Sequence, residues 1–372
     1  MVETRALAIL ALIAVAVLFH AGPAGAETSS WASRVDPAAP IDKSAQKKKA
    51  PASPFGAVTV IKAVPVAPTG KVLPAVAPPA ASGPAKATPQ MQEDPAYEAF
   101  DAGFYMTALE LAVHAAEQGE PQPHTLVGRI YAEGLGTAPN APLAAKWFER
   151  AAELGDPEGM FALGVMYAEG RGVDKDRAAA ARYFEAAAAR RHPLANYNLA
   201  LLFLRGDGKP ENPYRALMHM RYAAENGVVA AQYDLGTMYA TGTGTDANAF
   251  EAAKWIGKAA AAGNVEAQVD YAVLLFRGHG VPVDAKSGAE YFRRAAEKGV
   301  ATAQNRLARC YTHGAGLPQD LVEAAKWNFI AKAGGIEDDA LDAILAKVPR
   351  ADQAKAKTAA QQWLDRIAVG LE

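Results

Sequence analysis

The sequence predicts an all-α fold, a right-handed α-α superhelix built from about six to seven helix-pair repeats of 36 residues. Three observations predict it. The tetrapeptides EGLG, EGRG, RGDG, TGTG, RGHG and HGAG place glycines at Gly134, Gly170, Gly206, Gly242, Gly278 and Gly314, every interval being 36 residues. A phosphate-cradling loop occurs once, between a strand and a helix, so six copies in fixed phase mark a repeat instead. Six residues after each of these glycines stands Asn140, Asp176, Asn212, Asn248, Asp284 or Asp320. These are the residue types that accept from the orphan N–H groups at a helix start. Finally, large and small apolar residues recur in the same phase, with the spacing of packed helices.

The elements follow in chain order. The net charge of −2 over 372 residues points to no particular partner, and the 51% apolar content owes much to alanine. Residues 6–19 form a 14-residue apolar run behind Arg5, followed by the small residues Ala24 and Ala26. A spanning helix needs about 20 apolar residues, so the pattern predicts a signal peptide over 1–26, cleaved after Ala26. The alternative is an uncleaved anchor. Residues 27–92 are predicted to be a disordered Pro/Ala-rich linker. Positions 27–90 hold 11 of the 24 prolines and carry eight Lys/Arg against three Asp/Glu, while residues 91–372 carry 29 against 36. Such a segment buries too little apolar surface to fold and favours extended polyproline II. The lysine run at 47–49 reads as a solvated stretch or as a contact for polyanions.

The repeat array is predicted over 93–336. In the first helix of each repeat, Pro121, Pro157 and Pro193 suit the first turn. Val127, Leu163, Leu199, Leu235, Tyr271 and Leu307 form an apolar column, and the next residue is always Gly or Ala. The glycine at 134 and its equivalents should end this helix in a left-handed turn. In the second helix, Trp147, Tyr183, His219, Trp255, Tyr291 and Trp327 share a face with an alanine one turn later. Glu251 and Glu323 suggest capping boxes. A glycine then stops the helix, except that Arg191 stands in this column once, so that turn should differ. Residues 337–372 should form C-terminal capping helices, with Ala359, Trp363, Leu364 and Ile367 on one apolar face.

With these columns in place, the chain resembles the Sel-one-like repeat family, relatives of the tetratricopeptide repeats. GMFALGVMYAEGRGVDKD (159–176) with AARYFEAAAAR (180–190) carries the resemblance, as does AQYDLGTMYATGTGT (231–245) with EAAKWIGKAAAAG (251–263). It covers about 119–335, with a partial unit over 95–118. The resemblance implies an adaptor or scaffold role in membrane-associated or envelope processes. An exported branch of the family is cysteine-rich and binds penicillin weakly, and this chain lacks those cysteines.

The related tetratricopeptide geometry implies that a partner lies on the first-helix, concave face. There the sequence offers Phe161, Tyr197 and Tyr233 as a ring ladder, Asn198, Asp234 and Asp270 beside it, and Arg205 and Arg277 at the helix ends. The competing reading is that the rings belong to the core. No catalytic triad, metal site or cofactor site is expected. The seven histidines are scattered without ligand spacing, and Cys310, the sole cysteine, sits in an apolar column. The sequence therefore predicts an exported, periplasmic, non-catalytic scaffold for a protein or peptide partner, with no nucleic acid and no oligomeric state implied. Alternatives are a weak lactam or cell-wall hydrolase and a secreted host-interaction factor.

Overall fold

A computed structural model describes residues 94–369; the predicted signal peptide and the whole of the predicted linker lie outside the described residues. Among the described residues there are sixteen α-helices and no strand. The helices fall into two compact units, divided after Val228. The first holds α1 (Pro95–Asp101), α2 (Tyr105–Glu117), α3 (Pro121–Glu133), α4 (Ala141–Glu153), α5 (Pro157–Glu169), α6 (Arg177–Ala189), α7 (Pro193–Arg205) and α8 (Pro213–Glu225). The second holds α9 (Val229–Thr241), α10 (Ala249–Ala261), α11 (Val265–Arg277), α12 (Ala285–Glu297), α13 (Ala301–His313), α14 (Leu321–Ala333), α15 (Asp339–Leu345) and α16 (Arg350–Val369). In each unit, antiparallel helix pairs stack in chain order, and each pair packs on its neighbours, the pattern of an all-α solenoid.

One hinge recurs. The first glycine of each tetrapeptide, Gly134 for instance at φ 71°, takes the left-handed conformation and caps the first helix. The chain then turns, and the backbone N–H of the next cap residue donates to a carbonyl in the last turn of that helix. Asn140 donates to Tyr131 at 2.8 Å, Asp176 to Tyr167 at 3.0 Å, Asn212 to Phe203 at 2.8 Å, Asn248 to Tyr239 at 2.8 Å, Asp284 to Leu275 at 2.9 Å and Asp320 to Tyr311 at 3.0 Å. The cap side chain meanwhile accepts from the second helix, as Asp176 Oδ1 does from the Ala179 N–H at 2.9 Å. Because the cap N–H is already engaged, the expected capping boxes do not close. Glu251 and Glu323 instead accept from the indole N–H groups of Trp255 and Trp327, each at 3.2 Å, and so fix those rings.

The second glycine of the tetrapeptide has a different task. A Cβ placed on Gly172, Gly208, Gly280 or Gly316 would overlap the carbonyl of Ala141, Arg177, Ala249 or Ala285, respectively. Each of those carbonyls lies in the first turn of the preceding repeat's second helix. The second glycine thus lets one hinge touch the backbone of the repeat before it.

Within a repeat, the small column receives a large side chain. A Cβ on Gly128 would stand 2.7 Å from Phe148, on Gly164 2.7 Å from Phe184, and on Gly236 2.6 Å from Ile256. The deepest knob of the second helix is therefore the residue after the ring column, which the sequence reading passed over. Phe184, Met220, Ile256 and Phe292 are all fully buried. The ring column lies nearer the rim, and its rings pair with rings of the first helix, Tyr167 on Tyr183 at 5.6 Å and Phe203 on His219 at 5.8 Å, both stacked.

Two expectations are corrected. Arg191 takes φ 66° and is the one non-glycine with positive φ among the described residues. The turn keeps the shape of its glycine equivalents: His192 N–H donates to Ala187 O at 3.1 Å, as Asp156 N–H does to Ala151 O at 3.0 Å. Packing on both sides imposes the bend, and the arginine bears the strain. In the tail, the buried stripe of α16 is Ala356, Ala360 and Trp363, whereas Ile367 is exposed. The helix is rotated relative to the expected face because Trp363 meets Trp327 edge-on at 5.7 Å.

Gly280→Ala is expected to lower unfolding free energy by at least about 3 kcal/mol, from backbone strain plus overlap with Ala249. Gly299→Ala, also at positive φ but with open space around it, should lose only about 1–2 kcal/mol. Urea denaturation of both variants measures the difference, and equal losses would contradict a packing role. By the same measurement, Arg191→Gly should gain roughly 0.5–1 kcal/mol by relieving a left-handed side chain.

Candidate partner-binding face

The residues predicted to meet a partner lie on first helices, and each unit places its own. In the first unit, Thr125 Oγ1 on α3 donates to Asp156 Oδ2, and the same carboxylate oxygen accepts from the Gly159 N–H at 3.0 Å, capping α5. Phe161 on α5 is 3% exposed and stacks on the His192 ring at 4.7 Å. His192 is itself a cap: its Nδ1 accepts from the Ala195 N–H at 3.1 Å, and its Nε2–H donates to Glu158 Oε2 at 2.8 Å. Tyr197 on α7 is 6% exposed. Beside it, Asn198 is buried and donates through Nδ2 to Leu194 O at 2.9 Å. Arg205, at the end of α7, is half-buried. The rings of Phe161 and Tyr197 therefore offer little surface and stiffen the packing beneath it.

In the second unit the same column is more open. Tyr233, Asp234 and Arg277 are half-buried, while Asp270 is 2% exposed. Tyr233 on α9 donates its hydroxyl to Asp270 Oδ2 on α11 at 2.8 Å. Burial raises the Tyr233 hydroxyl far above its ordinary value, and the Asp270 charge and hydrogen bond push it the same way. It stays protonated and keeps donating. One repeat further on, Asn305 Nδ2 and Arg309 Nε donate to Asp338 Oδ2 at 2.9 and 2.8 Å, and Arg309 Nη2 donates to Asp338 Oδ1 at 3.0 Å. Burial alone would raise the Asp338 carboxyl. Hydrogen bonds from Arg309, Asn305 and the Leu341 N–H outweigh it and hold the carboxyl below its usual range.

A common device emerges. Polar groups on a first helix are satisfied by a carboxylate 31 to 37 residues later, as in the pairs Thr125–Asp156, Asn305–Asp338 and Tyr233–Asp270. The sequence places Thr125 and Asn305 in the same column as Phe161, Tyr197 and Tyr233, but gives no sign of Asp156, Arg309 and Asp338 as members of this system. Asp338 lies beyond the last glycine hinge, where the 36-residue phase gives no signal. Only the matching of Asn305 and Arg309, one helical turn apart, with a later acid could have hinted at it.

The other chemistry-bearing groups are held within the packing. Cys310 is buried, and burial pushes its thiol up to about 12. His219 donates from Nδ1 to Asn196 Oδ1 at 2.9 Å, and burial lowers its affinity for a proton. Among the described residues no three His, Cys, Asp or Glu side chains gather as a metal site, and no helix is long and apolar enough to cross a membrane. A crevice of about 380 Å³ near the C-terminal helices is lined by Trp327, Trp363 and Ile367, with Lys326, Arg366 and Glu297 at its sides.

The family model of the Sel1 repeat matches residues 124–156, 157–192, 193–228, 229–264, 265–300 and 301–327. These segments follow the six helix pairs and their hinges, the first beginning inside α3 and the last ending inside α14. No curated protein matches the chain. Among solved structures, a Sel1 repeat protein from Oxalobacter formigenes is similar at 29% identity and a TM-score of 0.55, over 66% of this chain and 96% of that one. A second similarity, at 26% identity and a TM-score of 0.48, covers 74% of this chain and 69% of the other. That protein is c5321, described as a protective antigen present in uropathogenic Escherichia coli strains that displays an SLR fold. With six repeat matches spanning more than half of its length, the chain belongs to the Sel1 repeat family.

Proposed function

We propose that the chain is an exported, non-catalytic scaffold of the cell envelope that holds a protein or peptide partner on its first-helix, concave face. Sel1 repeat proteins are interaction scaffolds in general. The apolar run at 6–19 with small residues at Ala24 and Ala26 supports export. The observation that carries the binding reading is the order imposed on one surface. Tyr233 is fixed by Asp270, and half-buried Asp234 and Arg277 stand on first helices of the same unit. Side chains already held in one rotamer lose little entropy when a partner arrives. Contact is assigned to Tyr233, Asp234 and Arg277 within the second unit; Arg205 is the half-buried candidate of the first unit taken by itself. In the second unit Asp270 supports Tyr233 from beneath, and in the first unit Phe161, Tyr197 and Asn198 are buried in the packing. The mixed charges suit a partner that presents both a cation and a carboxylate, rather than a polyanion.

The test is capture of a partner from an envelope extract on immobilised protein, identification by mass spectrometry, and titration of the purified partner. Asp234→Lys combined with Arg277→Glu is expected to weaken binding at least ten-fold, about 1.4 kcal/mol, in a variant whose helical circular dichroism matches the parent's. Lys146→Glu, at an exposed position of a second helix, should leave binding intact. Equal loss in both variants, or none in the first, would overturn the assignment of the face. Covalent labelling of the chain by a tagged penicillin would overturn the non-catalytic reading.

A further inference from the structure

The ring column ends differently from how it runs. Tyr183, His219 and Tyr291 each meet a ring on the first helix of their own repeat. Trp327, the last member of the column, meets Trp363 of α16 instead. On α16, Trp363, Arg366 and Ile367 stand three and four residues apart and share one face. That face, the Lys326–Trp327 corner of α14 and Glu297 at the end of α12 enclose the crevice of about 380 Å³. Such a volume lies at the small end for ligand sites and suits a molecule about the size of an amino acid.

One wall is held in place before any ligand arrives. Glu323 Oε2 accepts from the Trp327 indole N–H at 3.2 Å and from Lys326 Nζ at 3.0 Å, and Nζ lies 4.9 Å from the centre of the Trp327 ring. The lysine charge is thereby engaged within the wall. Trp327 and Trp363 are buried, whereas Ile367 is 40% exposed, an apolar side chain with solvent on one side. Two further charges stand at the crevice. Glu297 and Arg366 are exposed, line it from α12 and α16, and have no ion-pair partner among the described residues, each other included. A carboxylate and a guanidinium held apart beside an apolar surface select a ligand with an ammonium, a carboxylate and an apolar body. An anion alone would leave Glu297 unmatched, and a cation alone would leave Arg366 so.

We propose that this crevice binds a free α-amino acid with an apolar side chain. Its carboxylate meets Arg366, its ammonium meets Glu297, and its side chain lies against Trp327, Trp363 and Ile367. The planar guanidinium can take both carboxylate oxygens at once. The site uses α12, α14 and α16, none of which carries Tyr233, Asp234 or Arg277, so it does not rest on the partner-binding reading.

Titration of the whole ¹⁵N-labelled chain with L-leucine, followed through its five indole N–H signals, tests the proposal. The signals of Trp327 and Trp363 are expected to move, with half-saturation at about 1 mM, while those of Trp31, Trp147 and Trp255 stay in place. Leucinamide, which lacks the carboxylate, and N-acetyl-leucine, which lacks the ammonium, should each bind at least about five-fold more weakly. Arg366→Glu should weaken leucine binding at least about ten-fold. Glu297→Gln should weaken leucine several-fold and leave N-acetyl-leucine unchanged. Both positions are exposed, so the helical circular dichroism of each variant should match the parent's. Failure of both indole signals to move by about 20 mM leucine, movement of all five alike, or leucine binding unaffected by Arg366→Glu would each overturn the proposal. So would N-acetyl-leucine binding as tightly as leucine, the mark of a site for a peptide C-terminus.

Discussion

The structure depends on one close approach, that of a glycine with no side chain to a peptide carbonyl in the previous repeat. Gly172, Gly208, Gly280 and Gly316 each sit where a methyl group would overlap such a carbonyl. This contact sets how near successive helix pairs come, and the nearness allows the alanine columns to close. Ala187, Ala259 and Ala295 are wholly buried, and side chains of that size leave no room for a looser stack. The low aromatic content follows from the same constraint. Helices held this closely need only one large knob per pair, and Phe148, Phe184, Ile256 and Phe292 provide it.

Function is built on what this packing leaves over. A first helix with its inner face committed to the core can still carry polar groups at the edge, provided each finds a partner. Tyr233 finds Asp270, and Asn305 and Arg309 find Asp338, in each case across to a following element. These links order a surface, and the Cys310 thiol is buried and held protonated. In the proposed scaffold role, the few side chains that reach solvent would set partner choice.

Much of this was legible in the sequence. Glycine, proline and Asn/Asp at fixed phase gave the hinges and caps to the residue, because backbone constraints are strictly local. The ring and alanine columns gave the faces of the second helix. Side-chain depth was harder to read. The ring column and the residue after it are both large, and only the position of the receiving gap at Gly128, Gly164 and Gly236 shows which one enters the core. The same ambiguity led Phe161 and Tyr197 to be read as a contact ladder, although they lie beneath the surface, whereas Tyr233, Asp234 and Arg277 are half-buried. Arg191 was misjudged for a different reason: neighbouring repeats impose a bend that its own residue disfavours. The Asp338 clamp lay beyond the reach of periodicity.

The central claim is that six tetrapeptides build the same hinge and bind nothing. Amide exchange at the six cap residues Asn140, Asp176, Asn212, Asn248, Asp284 and Asp320 tests it directly, since each N–H donates to a carbonyl of the preceding helix. The account predicts slow exchange of similar rate at all six, unchanged by millimolar phosphate or nucleotide. Fast exchange at several of them, or marked protection on adding such an anion, would contradict it.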